Sequence, residues 1–166
     1  MQRQSILTIL IPVMILSVAT SSLNAHCEIP CGIYNDNLRI ELIREHIQTI
    51  EKSMNQISEL SKAGEKNYNQ LVRWINNKED HANKLQEIVT QYFMTQRIKP
   101  AASTDEAAYK DYISKLSLLH EMLVFAMKCK QTTDLANTQK LSELTDKFYQ
   151  AYFGEDAKEH LKEHKQ

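Results

Sequence analysis

Glycine and proline are scarce in this sequence, with only three of each among its 166 residues. The chain has no glycine-rich linker, low-complexity tract or internal repeat from Leu38 onward. Hydrophobic residues make up 42% of the chain and charged residues 25%, which argues against intrinsic disorder. This length and composition favour a single helical domain.

An excess of charge of either sign is also missing. Lysine and arginine number 20 against 21 aspartate and glutamate residues, so the formal net charge is −1. Such a chain has no overall positive field to attract a polyanion. We therefore expect neither nucleic acid nor an anionic membrane surface as a partner.

Cysteine is rare as well, and three residues are too few for a disulfide framework. Cys27 and Cys31 lie close together, and on cysteine count alone they would form a small disulfide loop in an exported protein. Cys129 lies far down the chain, near the end of a predicted helix. There we expect a small buried apolar side chain and not a metal ligand.

Long hydrophobic runs are absent except near the N-terminus. The apolar run over 6–19 follows the positive charge of Arg3 and is too short to be a convincing membrane span. Leu23-Asn24-Ala25 resembles a signal-peptide cleavage site. We therefore predict that 1–25 is a cleavable signal peptide and that the protein is exported to a periplasm, the cell exterior or an organelle lumen, with no membrane attachment after cleavage.

Four amphipathic patterns occupy the sequence from Leu38 to Gly154. In the first, apolar residues recur at alternating steps of three and four, which is typical of a helix that packs on other helices. These residues are Ile40, Ile43, Ile47, Ile50, Met54 and Ile57. Gly64 is expected to end this helix.

The second pattern predicts a helix that stops by Pro100. Its apolar residues are Leu71, Trp74, Ile75, Ala82, Leu85, Ile88, Val89 and Tyr92. Ser103 is followed three residues later by Glu106, which is the spacing of a capping box. A third helix is therefore predicted to begin there.

The third helix is predicted to present one apolar face to the core. Its members are Tyr109, Tyr112, Ile113, Leu116, Leu119, Leu123 and Met127. The polar run 132–134 predicts a turn and the start of a fourth helix, and Gly154 its stop. The apolar face of this fourth helix consists of Leu135, Leu141, Leu144, Phe148 and Tyr152. Short connections between four such helices predict an all-α four-helix bundle over 35–154, followed by a charged C-terminal tail over 155–166.

Cleavage after Ala25 would place a metal-binding sequence at the new N-terminus. The α-amine of His26, the amide nitrogen and thiolate of Cys27, and the thiolate of Cys31 could then form a planar N₂S₂ set. Square-planar nitrogen and sulfur ligands suit Ni(II), whereas zinc prefers a tetrahedral site. The His26 imidazole remains as a fifth, axial ligand for the oxidised metal.

The nine residues His26-Cys27-x-x-Pro30-Cys31-Gly32-x-Tyr34 resemble the nickel hook of nickel-containing superoxide dismutases. The resemblance implies an irregular hook over 26–34 that precedes a helical bundle and binds one nickel ion per subunit through His26, Cys27 and Cys31. It also implies a cis peptide bond before Pro30 and a Tyr34 that stands over the open face of the metal. His26 and Tyr34 are therefore the predicted catalytic residues.

The same resemblance implies the reaction and the assembly. Two superoxide ions would be converted to dioxygen and hydrogen peroxide as the metal alternates between Ni(III) and Ni(II). Members of this family form homohexamers in which neighbouring subunits hold the hooks. We therefore expect superoxide as the substrate and a homo-oligomer, with a hexamer as the implied form.

Two residues are predicted to support the hook from the helices. Glu41 matches a family position whose carboxylate accepts a hydrogen bond from the axial imidazole. His81 lies nearest to the position where many members carry an arginine in the same network. The hook also departs from the common pattern at Glu28, where aspartate is usual.

The other histidines have no spacing that predicts a second metal site, so we interpret them as surface or core residues. They are His46, His120, His160 and His164. A competing hypothesis from another class also fits the signal and the helices. In that hypothesis the protein is an exported helical-bundle binding module whose Cys27–Cys31 disulfide pins its N-terminus.

Overall fold

The computed structural model describes residue 32, residues 34–62 and residues 64–154. The chain divides into two units, 1–33 and 34–166, and Gly32 is the described residue of the first unit. The predicted signal peptide, most of the hook and the charged tail over 155–166 lie outside the described residues. Within the described ranges, no helix combines the length and apolarity needed to span a membrane.

Residues 34–154 contain four long α-helices. They are α1 (Asp36–Lys62), α2 (Tyr68–Glu87), α3 (Glu106–Gln131) and α4 (Ala136–Phe153). A 3₁₀ turn (Gly64–Asn67) leads into α2, and a π-helical segment (Ile88–Arg97) continues it. Each helix packs on its neighbour in the chain, and α4 also packs on α1. This closed ring with short connections is a four-helix bundle, so the predicted all-α fold is confirmed.

The core of the bundle contains the whole apolar face predicted for α1, from Ile40 to Ile57. The prediction for α3 was wrong in part, because Tyr109, Ile113 and Met127 are exposed. The buried residues of α3 are Leu119, Met122, Ala126 and Cys129. Apolar residues occupy two adjacent rows on this helix, and packing against the other helices selects one of them.

The helix ends follow local hydrogen-bonding rules, with one departure from prediction. The capping box of Ser103 and Glu106 is not formed. Instead, Asp105 caps α3, because its Oδ1 accepts a hydrogen bond from the amide of Ala108 at 3.1 Å. As predicted, Gly154 ends α4, with a φ of 64° that favours glycine.

Lys78 on α2 is a charged side chain inside the bundle and is only 4% exposed. Its Nζ donates hydrogen bonds to the carbonyl oxygens of Cys129 at 2.7 Å, Lys130, and Thr132 at 3.5 Å. The Glu79 carboxylate lies 3.4 Å from the same nitrogen. The last carbonyls of a helix lack partners and carry partial negative charge, so Lys78 stabilises the end of α3 and joins it to α2.

Candidate metal centre and its surroundings

The end of the hook motif leads directly into α1. Gly32 has a φ of 74°, a backbone conformation that glycine adopts without the steric cost of a Cβ atom. Three residues later, Asn35 caps α1, since its Oδ1 accepts a hydrogen bond from the amide of Leu38 at 3.0 Å. Tyr34 therefore immediately precedes the capping residue, and its backbone is attached to the first turn of α1.

The ring of Tyr34 lies against Arg97, the last residue of the π-helical segment. The guanidinium carbon is 4.3 Å from the ring centroid, which is a cation–π contact. Tyr92 meets the same ring edge to face, with centroids 6.0 Å apart. Tyr34 remains 43% exposed, so one side of the predicted catalytic tyrosine is packed and the other is open to solvent.

Arg97 is itself held by Asp36, the first residue of α1. Its Nη2 lies 2.7 Å from Oδ2 of the carboxylate and its Nε 2.9 Å from Oδ1, a bidentate pair. The same carboxylate accepts hydrogen bonds from the hydroxyl groups of Tyr92 at 2.6 Å and Tyr152 at 2.9 Å. We call these four residues the Asp36 cluster. The cluster joins α1, the π-helical segment and α4 directly behind Tyr34.

The π-helical segment explains why Tyr92 and Arg97 reach the same carboxylate. In an α-helix, residues five apart point in directions that differ by about 140°. The wider π turn pairs residue i with residue i+5 and brings such residues close to one face. The backbone amide of Ile98 donates a hydrogen bond of this spacing to the carbonyl of Phe93, and the side-chain hydroxyl of Thr95 donates one to the carbonyl of Thr90.

Within the Asp36 cluster, the hydrogen bonds keep the carboxyl group of Asp36 ionised, and burial and hydrogen bonding keep the two tyrosines neutral. Burial by itself would raise the pKa of Asp36, but the hydrogen bonds from Arg97 and the two tyrosines outweigh it and lower that pKa. Burial and the hydrogen bond to this carboxylate raise the pKa of Tyr92 to about 12. The pKa of Tyr152 is raised for the same two reasons. Both tyrosines therefore stay protonated as donors at neutral pH.

The depressed pKa of Asp36 predicts a pH-dependent stability. A carboxyl group whose pKa is lower in the folded state stabilises the fold above its unfolded pKa of about 4, and this stabilisation is lost as the pH falls through the folded value. Asp36→Asn should therefore lower the free energy of unfolding by about 1–3 kcal/mol at pH 7. Urea denaturation at several pH values should show this deficit shrinking below about pH 4.

A matched control is Asp111→Asn on α3. Asp111 pairs with Lys115 at 2.7 Å, but its side chain is 57% exposed. Exposed pairs contribute little to stability. An equal loss in both variants would contradict a special role for Asp36.

The sequence interpretation missed this cluster. The helical spacing places Tyr92 and Tyr152 on apolar faces and gives no role to their hydroxyl groups. Asp36 and Arg97 carry no motif and are far apart in the chain. The two tyrosines could have pointed to the cluster, because a tyrosine on a buried helix face needs a hydrogen-bond partner for its hydroxyl group.

The structure gives the two predicted supporting residues separate partners. Glu41 on α1 accepts a hydrogen bond from Arg44 Nη1 at 2.7 Å, and Arg44 also pairs with Asp146 of α4 at 2.7 Å. His81 on α2 contacts His46 of α1. His46, interpreted from the sequence as a surface or core residue, is partly buried at this contact.

The remaining predictions for single residues have mixed outcomes. His120 is exposed, as one of the two interpretations of it required. His160 and His164 lie outside the described residues, as do His26, Cys27 and Cys31. Over 34–62 and 64–154, no group of three or more histidine, cysteine, aspartate or glutamate side chains could hold a metal ion.

The chemistry of the cysteines identifies which of them can serve nickel. Cys129 is the one free cysteine in the described part of the chain, and it is fully buried. Burial raises its pKa to about 11, so it stays a thiol, whereas a metal ligand must be a thiolate. This confirms its interpretation as a small apolar core residue. Cys27 and Cys31, the two predicted thiolate ligands, lie outside the described residues, and with the His26 nitrogens they would offer a donor set of the kind that suits nickel.

Comparison with known protein families tests the predicted family. The family model described as nickel-containing superoxide dismutase matches residues 21–156, a segment that includes the hook motif and all four helices. Searches of curated proteins and of solved structures return no significant match. The family match favours the enzyme over the disulfide-pinned binding module. The chain therefore belongs to the nickel-containing superoxide dismutases, oxidoreductases that use nickel to convert superoxide to dioxygen and hydrogen peroxide.

Proposed function

We propose that the dismutase site of this chain is the hook over 26–34. Its nickel ligands would be the amine and imidazole of His26, the amide nitrogen and thiolate of Cys27, and the thiolate of Cys31. The observation that carries the proposal is the nine-residue motif, which ends two residues before α1 inside a segment matched by the family. When bound, nickel supplies a one-electron couple between its divalent and trivalent states.

Tyr34 is proposed to control access to the open face of the site. Its ring is packed on Arg97 and Tyr92, and the Asp36 cluster holds that arginine from behind. Because the Tyr34 ring is held on its packed face, its exposed face can narrow the path to the metal without blocking it. Arg97 is thus proposed as a positioning residue for Tyr34, and protons for the product could come from water, the hook amides or the Tyr34 hydroxyl.

Glu41 is proposed to orient the axial imidazole of His26. One of its oxygens is engaged by Arg44, which is fixed in turn by Asp146 across the bundle. A carboxylate has capacity for further hydrogen bonds, so Glu41 can accept another from an imidazole N–H. His81 could join the same network only in addition to, or in place of, its contact with His46.

The nickel content of the mature protein tests the proposed site. We expect about one nickel ion per chain in active protein, because all five ligand atoms come from a single hook. Elemental analysis alongside a superoxide assay measures this. Zinc, copper or no metal in fully active protein would overturn the proposal.

A homohexamer is the proposed assembly. The observation that supports a self-association surface is an exposed apolar stripe on α2, where Tyr68, Val72 and Ile75 lie on one helix face and are 60%, 53% and 37% exposed. An irregular nine-residue hook, as the family resemblance implies, would also need a surface to pack on.

Charge introduced into this stripe should dissociate the assembly. Val72→Glu is expected to lower the sedimentation coefficient, because burying an unpaired carboxylate at an interface is costly. Gln70→Glu adds the same charge at an exposed polar position of α2 and should leave the assembly intact. Fully active monomeric wild-type protein would contradict the proposed hexamer.

Export is proposed to precede nickel binding. Cleavage of the signal peptide after Ala25 would create the free amine of His26, so the amine ligand would exist only after the chain has been exported and cleaved. N-terminal sequencing of mature protein from culture fractions tests both points. A mature chain that begins elsewhere would remove the amine ligand from the proposal.

A further inference from the structure

His46 of α1 and His81 of α2 face each other where these two helices pack. Their Nδ1 atoms are 3.1 Å apart, and both side chains are partly buried. The ring planes are inclined at 77°, with centroids 5.0 Å apart. Two neutral imidazoles at this distance can share one proton, or their two lone pairs can face a single cation.

The distance between the nitrogens matches a chelate. Imidazole nitrogen binds zinc at about 2.0–2.1 Å, so two such nitrogens 3.1 Å apart would subtend an angle of about 100° at one metal ion. This angle lies between the angles that neighbouring ligands make at a metal ion in square-planar and in tetrahedral coordination. The packed helices therefore already hold the two donors at the spacing of neighbouring ligands.

The separation of the ring centroids gives a second criterion. Two imidazoles whose lone pairs converge on one metal ion at this spacing would have centroids about 4.8 Å apart. Lone pairs aimed straight at each other along a hydrogen bond would put the centroids about 5.4 Å apart. The observed 5.0 Å lies between these two values, so the pair is compatible with lone pairs that converge on one ion as well as with a bent hydrogen bond.

Both histidines are neutral donors, and charged side chains of both signs act on them. Burial is the main cause that lowers the pKa values of both histidines, so the imidazoles are neutral at pH 7. Glu45 on α1 acts electrostatically on both rings, and Asp80 on α2 acts on His81. Lys84 opposes a cation at both rings, and at His81 its effect is larger than that of either carboxylate, so the surrounding charge does not by itself favour a cation.

We propose that His46 and His81 form a second metal site, separate from the hook, that binds a borderline divalent cation such as Zn²⁺, Cu²⁺ or Ni²⁺ and links α1 to α2. Imidazole nitrogen is a favoured ligand of these ions. Water completes the coordination, because no third protein ligand joins the group within the described residues. The site is therefore weaker than one with three or four protein ligands.

Zinc binding to a hook-disabled protein tests the proposal. The full mature chain with His26→Ala, Cys27→Ser and Cys31→Ser lacks the hook imidazole and thiolates and serves as the background. Calorimetric titration with Zn²⁺ should show one site per chain, and Zn²⁺ should raise the unfolding temperature in a concentration-dependent way. Both responses should be lost in His81→Asn, because the amide can keep a hydrogen bond to His46 but is a poor zinc ligand.

His120→Ala is the matched control, since it removes an exposed histidine of α3 and should leave both zinc responses intact. The nickel-loaded wild-type protein, with its hook filled, should give the same contrast between wild type and His81→Asn. Equal zinc binding with and without His81, or no zinc response in the background protein, would overturn the proposal.

Discussion

Cys27→Ser and Cys31→Ser should each abolish superoxide dismutation, whereas Cys129→Ser should leave most of it. Thiolates stabilise the oxidised metal as strong electron donors, and a serine hydroxyl stays protonated near neutral pH and cannot replace them. Nickel content should fall with activity in the two hook variants. Elemental analysis and a superoxide assay on the three purified proteins measure both effects.

Circular dichroism provides the control for these substitutions. The hook variants should keep the helical signal of wild type, because residues 34–154 form the bundle and its core without the hook cysteines. Cys129→Ser can lower the unfolding temperature, since the fully buried thiol is replaced by a more polar hydroxyl. An activity loss at Cys129 equal to that at Cys27 would contradict the ligand assignment.

Retention of Ala25 ahead of His26 should also remove most activity. One extra residue converts the α-amine of His26 into an amide nitrogen, which is a far weaker donor until it is deprotonated. The imidazole and both thiolates remain, so simple metal capture by histidine and cysteine predicts little change. The free-amine mechanism instead predicts loss of the trivalent nickel state, and the helices should fold as before.

Electron paramagnetic resonance separates these two outcomes. Protein that begins at His26 should show the signal of trivalent nickel, and protein that begins at Ala25 should lack it. A superoxide assay on the same two samples links the signal to activity. Near-equal activity in both forms would rule out the amine as an essential ligand.

Much of the fold could be predicted because the helices have strong local signals. The regular apolar spacing in α1 and the stop at Gly154 depend on residues that are close in sequence. Part of the core-facing row of α3 was predicted wrongly, because two rows of apolar residues fit the same helical period and one of them is exposed. Only contact with neighbouring helices distinguishes them.

The surroundings of the site were less predictable, for a related reason. Asp36 and Arg97 are 61 residues apart, and Tyr152 is 116 residues from Asp36. No local pattern joins them, and the π-helical turn that aims Arg97 at Asp36 has no simple sequence signature. The pairing of His46 with His81 depends in the same way on how α1 and α2 pack.

The sequence by itself determined the proposed donor set, because a chelate of amine, amide and thiolates would need only residues that are neighbours in the chain. It also determined the helical class, since amphipathic spacing is a local property. The tertiary structure alone decided what stands behind Tyr34, because the Asp36 cluster draws its members from three separate elements. Those contacts form only when the helices have packed and burial has made each polar group depend on a partner.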